Sequence, residues 1–258
     1  MIGNPVLAAS GVTCLYGSRT GCADVSLEVH PGEILALAGE SGSGKTTVLK
    51  ALSGQLKPAA GRVLYRDAGG AELDVHALTE GRRRLLMRTE LGFVHQNPRD
   101  GLNMAVSAGA NVADRLLSGG ERGYGRARSA ALDWLGRVEI PADRLDDRPG
   151  RYSGGMLQRL QIARNLVTAP RLVFLDEPTG GLDASVQARL LDLIRDLVAT
   201  LKLAAVLVTH DLAVARLLSQ RLMVMKEGMV IESGLTDQVL DDPQEPYTQL
   251  LVSSILEA

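Results

Sequence analysis

The chain has 258 residues, 45% of them apolar, ordinary composition for one large domain or two closely joined lobes around a sizeable core. Lys plus Arg total 28 against 30 Asp plus Glu, so a formal charge of −2 supplies no global basic field for nucleic acid or an anionic membrane surface. No apolar run reaches the ~18–20 residues of a membrane span, the Met1–Pro5 start lacks a charged leader and signal core, and Cys14 and Cys22 fit no zinc or disulfide framework. The expectation is a cytoplasmic protein with free thiols and no direct membrane insertion.

Short β-rich runs alternate with longer helical stretches, the pattern of an α/β protein with a mostly parallel sheet. Ala23–Val29 alternates as a half-exposed strand, and Pro31-Gly32 turns the chain into the apolar run Ile34–Ala38. The stretch from Pro98 to Val167 holds no convincing strand and one amphipathic helix through Ala131, Trp134, Leu135 and Val138. It reads as a helical subdomain at 98–167, inserted in a core lobe made of 1–97 and 168–258. Its charges, like the Arg82-Arg83-Arg84 triplet, read as a solvated face. Leu172–Leu175, Ala204–Val208 and Leu222–Met225 are strand-sized runs suited to burial on both faces. Val186, Leu190, Leu193, Leu197 and Leu201 make one helical face; Leu157, Leu160, Ile162, Leu166 and Val167 make a looser one. A turn at Pro243 precedes a short closing helix, Tyr247–Leu256.

Gly39-Glu40-Ser41-Gly42-Ser43-Gly44-Lys45-Thr46 fills every fixed position of G-x-x-x-x-G-K-[ST], between a strand and a helix-forming run. Glycines let backbone N–H groups turn inward around phosphate oxygens, and a helix N-terminus adds a favourable field for the anion. Lys45 is placed to reach the β- and γ-phosphates, and the Thr46 hydroxyl to ligate Mg²⁺. Chance assembly of these fixed positions should occur in roughly one chain in a hundred of this length. The loop is read as a nucleotide site.

Leu172–Leu175 leads into Asp176 and Glu177, at the strand edge where open α/β sheets place ligands. Asp176 suits a hydrated Mg²⁺, and Glu177 suits orienting or deprotonating water. Alone, such an acidic pair is as readily a cap for the next helix. His210 and Gln96 also follow apolar strands, and each alone is equally compatible with a structural role. Ser153-Gly154-Gly155 precedes a helix, which makes either an anion-binding N-terminus or a plain Ser cap with a tight turn.

Together these elements resemble the ATP-binding cassette family over nearly the whole chain: Gly39–Thr46, Gln96, Ser153-Gly154-Gly155, Asp176-Glu177, Gly181-Leu182-Asp183 and His210, in order and spacing. The resemblance implies a P-loop NTPase fold with an antiparallel β region near the N-terminus, and an Mg²⁺-dependent ATPase. It implies that Tyr16 stacks on adenine, that Thr47 joins the nucleotide contacts, and that Gln96, Thr46 and Asp176 surround the metal. Glu177, His210 and Gln96 become the catalytic set. Two cassettes of that family pack head to tail as a dimer on ATP. Ser153, Gly154 and Gly155 are then assigned to the partner's ATP and Asp183 to the seam. The signature departs at Tyr152 and Met156, where the family usually has Leu and Gln; Met cannot replace the hydrogen bonds of Gln. The tracts His95–Leu102, Tyr152–Met156 and Pro246–Leu251 are similar to the branch serving bacterial carbon–phosphorus lyase in phosphonate catabolism. Wider relatives energise oligopeptide and nickel importers. The expected partner is a soluble carbon–phosphorus lyase core complex, against two alternatives: an importer permease, or a non-transport ATP-driven clamp.

Overall fold

The computed structural model describes residues 4–256; Met1–Gly3, part of the start read above, lie outside the described residues. The chain opens with strands β1 (Leu7–Tyr16) and β2 (Arg19–Val29), then β3 (Ile34–Ala38) and helix α1 (Lys45–Leu52), followed by β4 (Ala60–Arg66) and β5 (Glu72–Asp74). Next come α2 (Glu80–Thr89), β6 (Leu91–Val94), α3 (Ala108–Ser118), α4 (Tyr124–Arg137), α5 (Gly154–Leu166), β7 (Leu172–Asp176) and α6 (Ala184–Leu201). The chain closes with β8 (Ala204–Thr209), α7 (Leu212–Leu218), β9 (Arg221–Lys226), β10 (Met229–Leu235), α8 (Thr236–Asp241) and α9 (Pro246–Leu256).

Two compact units result, residues 1–79 with 202–258, and residues 80–201. In the first, β2, β1, β4 and β5 pair antiparallel in that order. Period-two burial along β1 and β2 puts Val12, Cys14, Cys22 and Val25 inside. Strand β3 pairs in parallel with β8 on one side and β9 on the other, and β10 runs antiparallel to β9. All five residues of β3 and all six of β8 are buried, as their unbroken apolar sequences require of parallel strands covered on both faces. Complete burial of a Leu or Val side chain contributes ~1.5–3 kcal/mol, which fixes the end of β3 where the phosphate loop begins.

In the second unit β6 pairs in parallel with β7 in register Leu91↔Leu172 through Val94↔Leu175. Residues 98–167 carry no strand, as their composition predicts, and hold α3, α4 and α5 with short 3₁₀ turns. Ala131, Trp134, Leu135 and Val138 are buried, as is the Leu190–Leu193–Leu197 face of α6. The charges between them pair at the surface: Arg128 with Asp146 at 2.8 Å and Arg126 with Glu121 at 2.7 Å. Exposed pairs of this kind contribute little to stability. Among the described residues no helix is long and apolar enough to cross a membrane.

Candidate functional site

In the first unit the phosphate loop leaves the buried end of β3 and enters α1 at Lys45. Gly39 (φ 143) and Gly44 (φ 102) adopt backbone that side chains rarely tolerate. A Cβ on Gly39 would lie 2.2 Å from the Met225 carbonyl oxygen, and one on Gly44 2.4 Å from the Gly21 oxygen, so only glycine fits. Lys45, just 4% exposed, donates to the carbonyls of Gly39 (2.7 Å) and Glu40 (2.8 Å) and to Ser43 Oγ (3.3 Å). The ammonium is thereby fixed over the loop before any phosphate contact. Ser41 and Gly42 are exposed, Ser43 is buried, and Thr46 and Thr47 are half-buried in the first turn of α1.

Tyr16 ends β1 with half its surface exposed, its ring edge over Gly21 and beside Thr47. His210 follows β8 and lines a pocket of about 260 Å³ together with Gly39, Glu40, Ser41, Leu251 and Ser254. Tyr16, the loop residues and His210 thus gather at one end of the first unit.

In the second unit Asp176 ends β7 and is buried. Glu177 follows with left-handed backbone (φ 42), a conformation of the kind found at functional sites. Gln96, two residues past β6, donates from Nε2 to Glu177 Oε2 at 2.8 Å. The parallel register of β6 and β7 brings these loops side by side. Ser153 caps α5, its hydroxyl accepting from the Met156 N–H at 3.3 Å, while Ser153 and Gly154 are exposed and Gly155 is packed on Val186. Gly154 lines a pocket of about 280 Å³ with Asn97, Arg99, Gln158, Gly180 and Leu182. Asp183 is exposed just before α6. The second unit therefore gathers Gln96, Glu177 and the small-residue start of α5 on connected loops.

Residues 22–180 match the protein family described as ABC transporter. The chain belongs to the ATP-binding cassette family. It is 59% identical over 253 residues, 98% of each chain, to an Escherichia coli K12 protein provisionally named phosphonates utilization ATP-binding protein PhnK. It is 35% identical to a Brucella melitensis protein provisionally named for peptide import, over 97% of this chain and 78% of that one. A solved dimeric structure of the cassette MJ0796 bound to ADP and Pi superposes with TM-score 0.79 at 28% identity, covering 89% of this chain and 98% of that one. The expected fold class, an α/β P-loop cassette, and the ATPase activity both hold.

The cassette's donor chemistry fits Mg²⁺. The Thr46 hydroxyl of the first unit, and the Asp176 carboxylate and Gln96 amide oxygen of the second, are each hard oxygen donors of the kind Mg²⁺ takes. Because the Gln96 amide nitrogen is committed to Glu177, its oxygen is the atom left to meet a cation or water.

Two groupings beside the candidate site residues escaped the sequence reading. Tyr247 in α9 accepts a hydrogen bond from the phosphate-loop Glu40 N–H at 3.2 Å; the Pro246-Tyr247-Thr248 run signals its presence without its target. The amides of Gln158, Gln161 and Asn165 are buried on α5 against β6. Their three- and four-residue spacing is the signal that could have found them.

Proposed function

We propose that this cassette binds and hydrolyses Mg²⁺-ATP as a head-to-tail homodimer and serves the carbon–phosphorus lyase machinery of phosphonate use in the cytoplasm. The Gly39–Thr47 loop holds the phosphates through its backbone N–H groups, with Lys45 supplying positive charge. Tyr16 gives the adenine a ring to stack on. Thr46, Asp176 and Gln96 hold Mg²⁺, which when bound neutralises charge on the phosphate oxygens. Glu177 takes the proton of the attacking water, and the Gln96 amide fixes the carboxylate's rotamer. His210 contacts the γ-phosphate. Ser153, Gly154 and Gly155 offer N–H groups and a hydroxyl at the start of α5 to the partner subunit's ATP, and Asp183 lines the seam. These α5 contacts are largely backbone, so they tolerate Met156. Residues 98–167 act as the helical subdomain that carries them, and 1–97 with 168–258 as the core lobe.

The observation that carries the phosphonate reading is 59% identity over 98% of both chains, against 35% for a peptide-import relative longer than this chain. That second relationship favours the other reading, an importer ATPase docked on a permease. Affinity purification of tagged Glu177→Gln protein with ATP separates them, using soluble and detergent-solubilised fractions in parallel. Recovery of soluble lyase subunits is expected. Recovery of a permease without lyase subunits would overturn the proposal.

A further inference from the structure

We propose that Gln161, with Gln158, is a positioning residue for hydrolysis. Its amide, on the helix that starts at Ser153, holds the backbone of His95 and thereby sets Gln96 against Glu177. The inference rests on the reading of Gln96 and Glu177 as the water-side pair.

The geometry is unusual for a helix interior. Gln161 Oε1 accepts from the His95 N–H at 2.7 Å, and Gln161 Nε2 donates to the His95 carbonyl at 3.1 Å. One side-chain amide therefore bonds both backbone groups of one residue, as a peptide of a neighbouring strand would. Gln158 Nε2 donates to the same carbonyl at 3.3 Å, and its Oε1 accepts from Gln161 Nε2 at 3.3 Å. One turn further on, Asn165 Oδ1 accepts from the Phe93 N–H at 3.0 Å, and its Nδ2 donates to the Gln161 carbonyl at 2.9 Å. Gln161 is 0% exposed, and Gln158 and Asn165 are 2% exposed each.

Buried amides destabilise a core unless their donors and acceptors are met. Here they are met by the strand whose next residue but one is Gln96. The loop also returns over the same amide: a Cβ on Gly101 would lie 2.2 Å from Gln161 Oε1. The 95–101 loop is thus hydrogen-bonded to one side chain of α5 at His95 and packed closely against it at Gly101. A shift of α5 moves His95 through paired hydrogen bonds, and Gln96, bonded to Glu177 at 2.8 Å, moves with it. Hydrolysis thereby depends on where α5 stands.

The test is a double-mutant cycle on the full chain, read as kcat for phosphate release alongside the Kd for ATP. Ionised, Gln161→Glu keeps the acceptor for the His95 N–H but loses the donors to the His95 carbonyl and to Gln158 Oε1; protonated, it regains one O–H donor, enough for the carbonyl. We expect kcat to fall about tenfold, the scale of one lost buried hydrogen bond, with Kd unchanged. The deficit should shrink as pH is lowered and the carboxyl takes up a proton. In a Gln96→Ala background the same substitution should leave kcat unaltered. An unchanged kcat in the wild-type background, or an equal fall in both backgrounds, would overturn the inference. Should Gln96→Ala itself hydrolyse ATP at the wild-type rate, the water-side reading falls too, which separates the two failures. If Gln161→Glu does not fold, Gln158→Ala, which removes the second donor to His95 and the acceptor for Gln161 Nε2 but leaves both Gln161 bonds to His95 available, carries the same cycle.

Discussion

The Tyr247 hydroxyl meets the backbone N–H of Glu40 at 3.2 Å, so the closing helix α9 is bonded to the phosphate loop. The Tyr247 ring also lies under the Lys226 ammonium, 4.9 Å from its centroid, which fixes the ring independently of the hydroxyl. Tyr247→Phe should therefore keep the ring in place and lose one hydrogen bond, worth ~0.5–1.5 kcal/mol. ATP affinity should weaken about 2- to 10-fold with kcat unchanged. Calorimetry alongside steady-state rates measures the split, and unaltered affinity would deny α9 any influence on the loop.

Glu177→Gln should retain ATP binding while phosphate release slows by about 10²–10⁴-fold, the usual cost of losing a general base. A wild-type rate in this variant would refute the role. Because turnover is blocked, the variant should dimerise with ATP and Mg²⁺ and dissociate without them. Sedimentation showing only monomer at saturating nucleotide would count against the head-to-tail pairing.

Lys45→Ala should act earlier, on binding itself. It removes the ammonium that spans the Gly39 and Glu40 carbonyls and so loosens the loop as well as deleting charge. ATP affinity should drop sharply while the melting temperature of the nucleotide-free protein shifts little. Unchanged affinity by calorimetry would remove the phosphate-loop assignment.

Cys14 and Cys22 face each other across β1 and β2 as buried free thiols. Burial, aided by the neighbouring thiol, pushes Cys14 from an ordinary 9.0 up to about 12, and burial raises Cys22 as well. The thiolate is the reactive form, so alkylation at pH 8 should be slow until denaturant is added. The sign for stability follows from proton counting. Between 9.0 and about 12 the unfolded chain releases the Cys14 proton while the folded chain keeps it, so stability contributed below this window is lost as pH rises through it. Wild type should lose stability relative to Cys14→Ala across that interval; parallel curves would contradict the shift.

Local sequence made the phosphate loop and the β7 carboxylates legible, because each needs a fixed residue order next to an apolar strand. Strands β3 and β8 were legible for the same reason, being unbroken apolar runs. Helix α3 was not singled out, since Gly109, Asn111 and Arg115 interrupt its apolar face, and in the fold all three are buried. Arg115 is held by the Met87 carbonyl at 2.8 Å and by the Leu91 carbonyl, partners invisible to a periodicity count. The loose apolar face of α5 has the same origin. Part of its buried surface is amide, and those amides are matched to a strand more than sixty residues away in sequence.

Tyr16 has a further consequence for selectivity. Its half-exposed ring offers a flat π-face, and a flat face carries no donor–acceptor pattern that tells one purine from another. If Tyr16 is the base platform, as proposed, with Lys45 and the loop N–H groups gripping phosphates, the protein would count phosphates rather than read bases. GTP should then compete with ATP at similar affinity while AMP should not, and the fuel consumed would follow whichever triphosphate is most abundant.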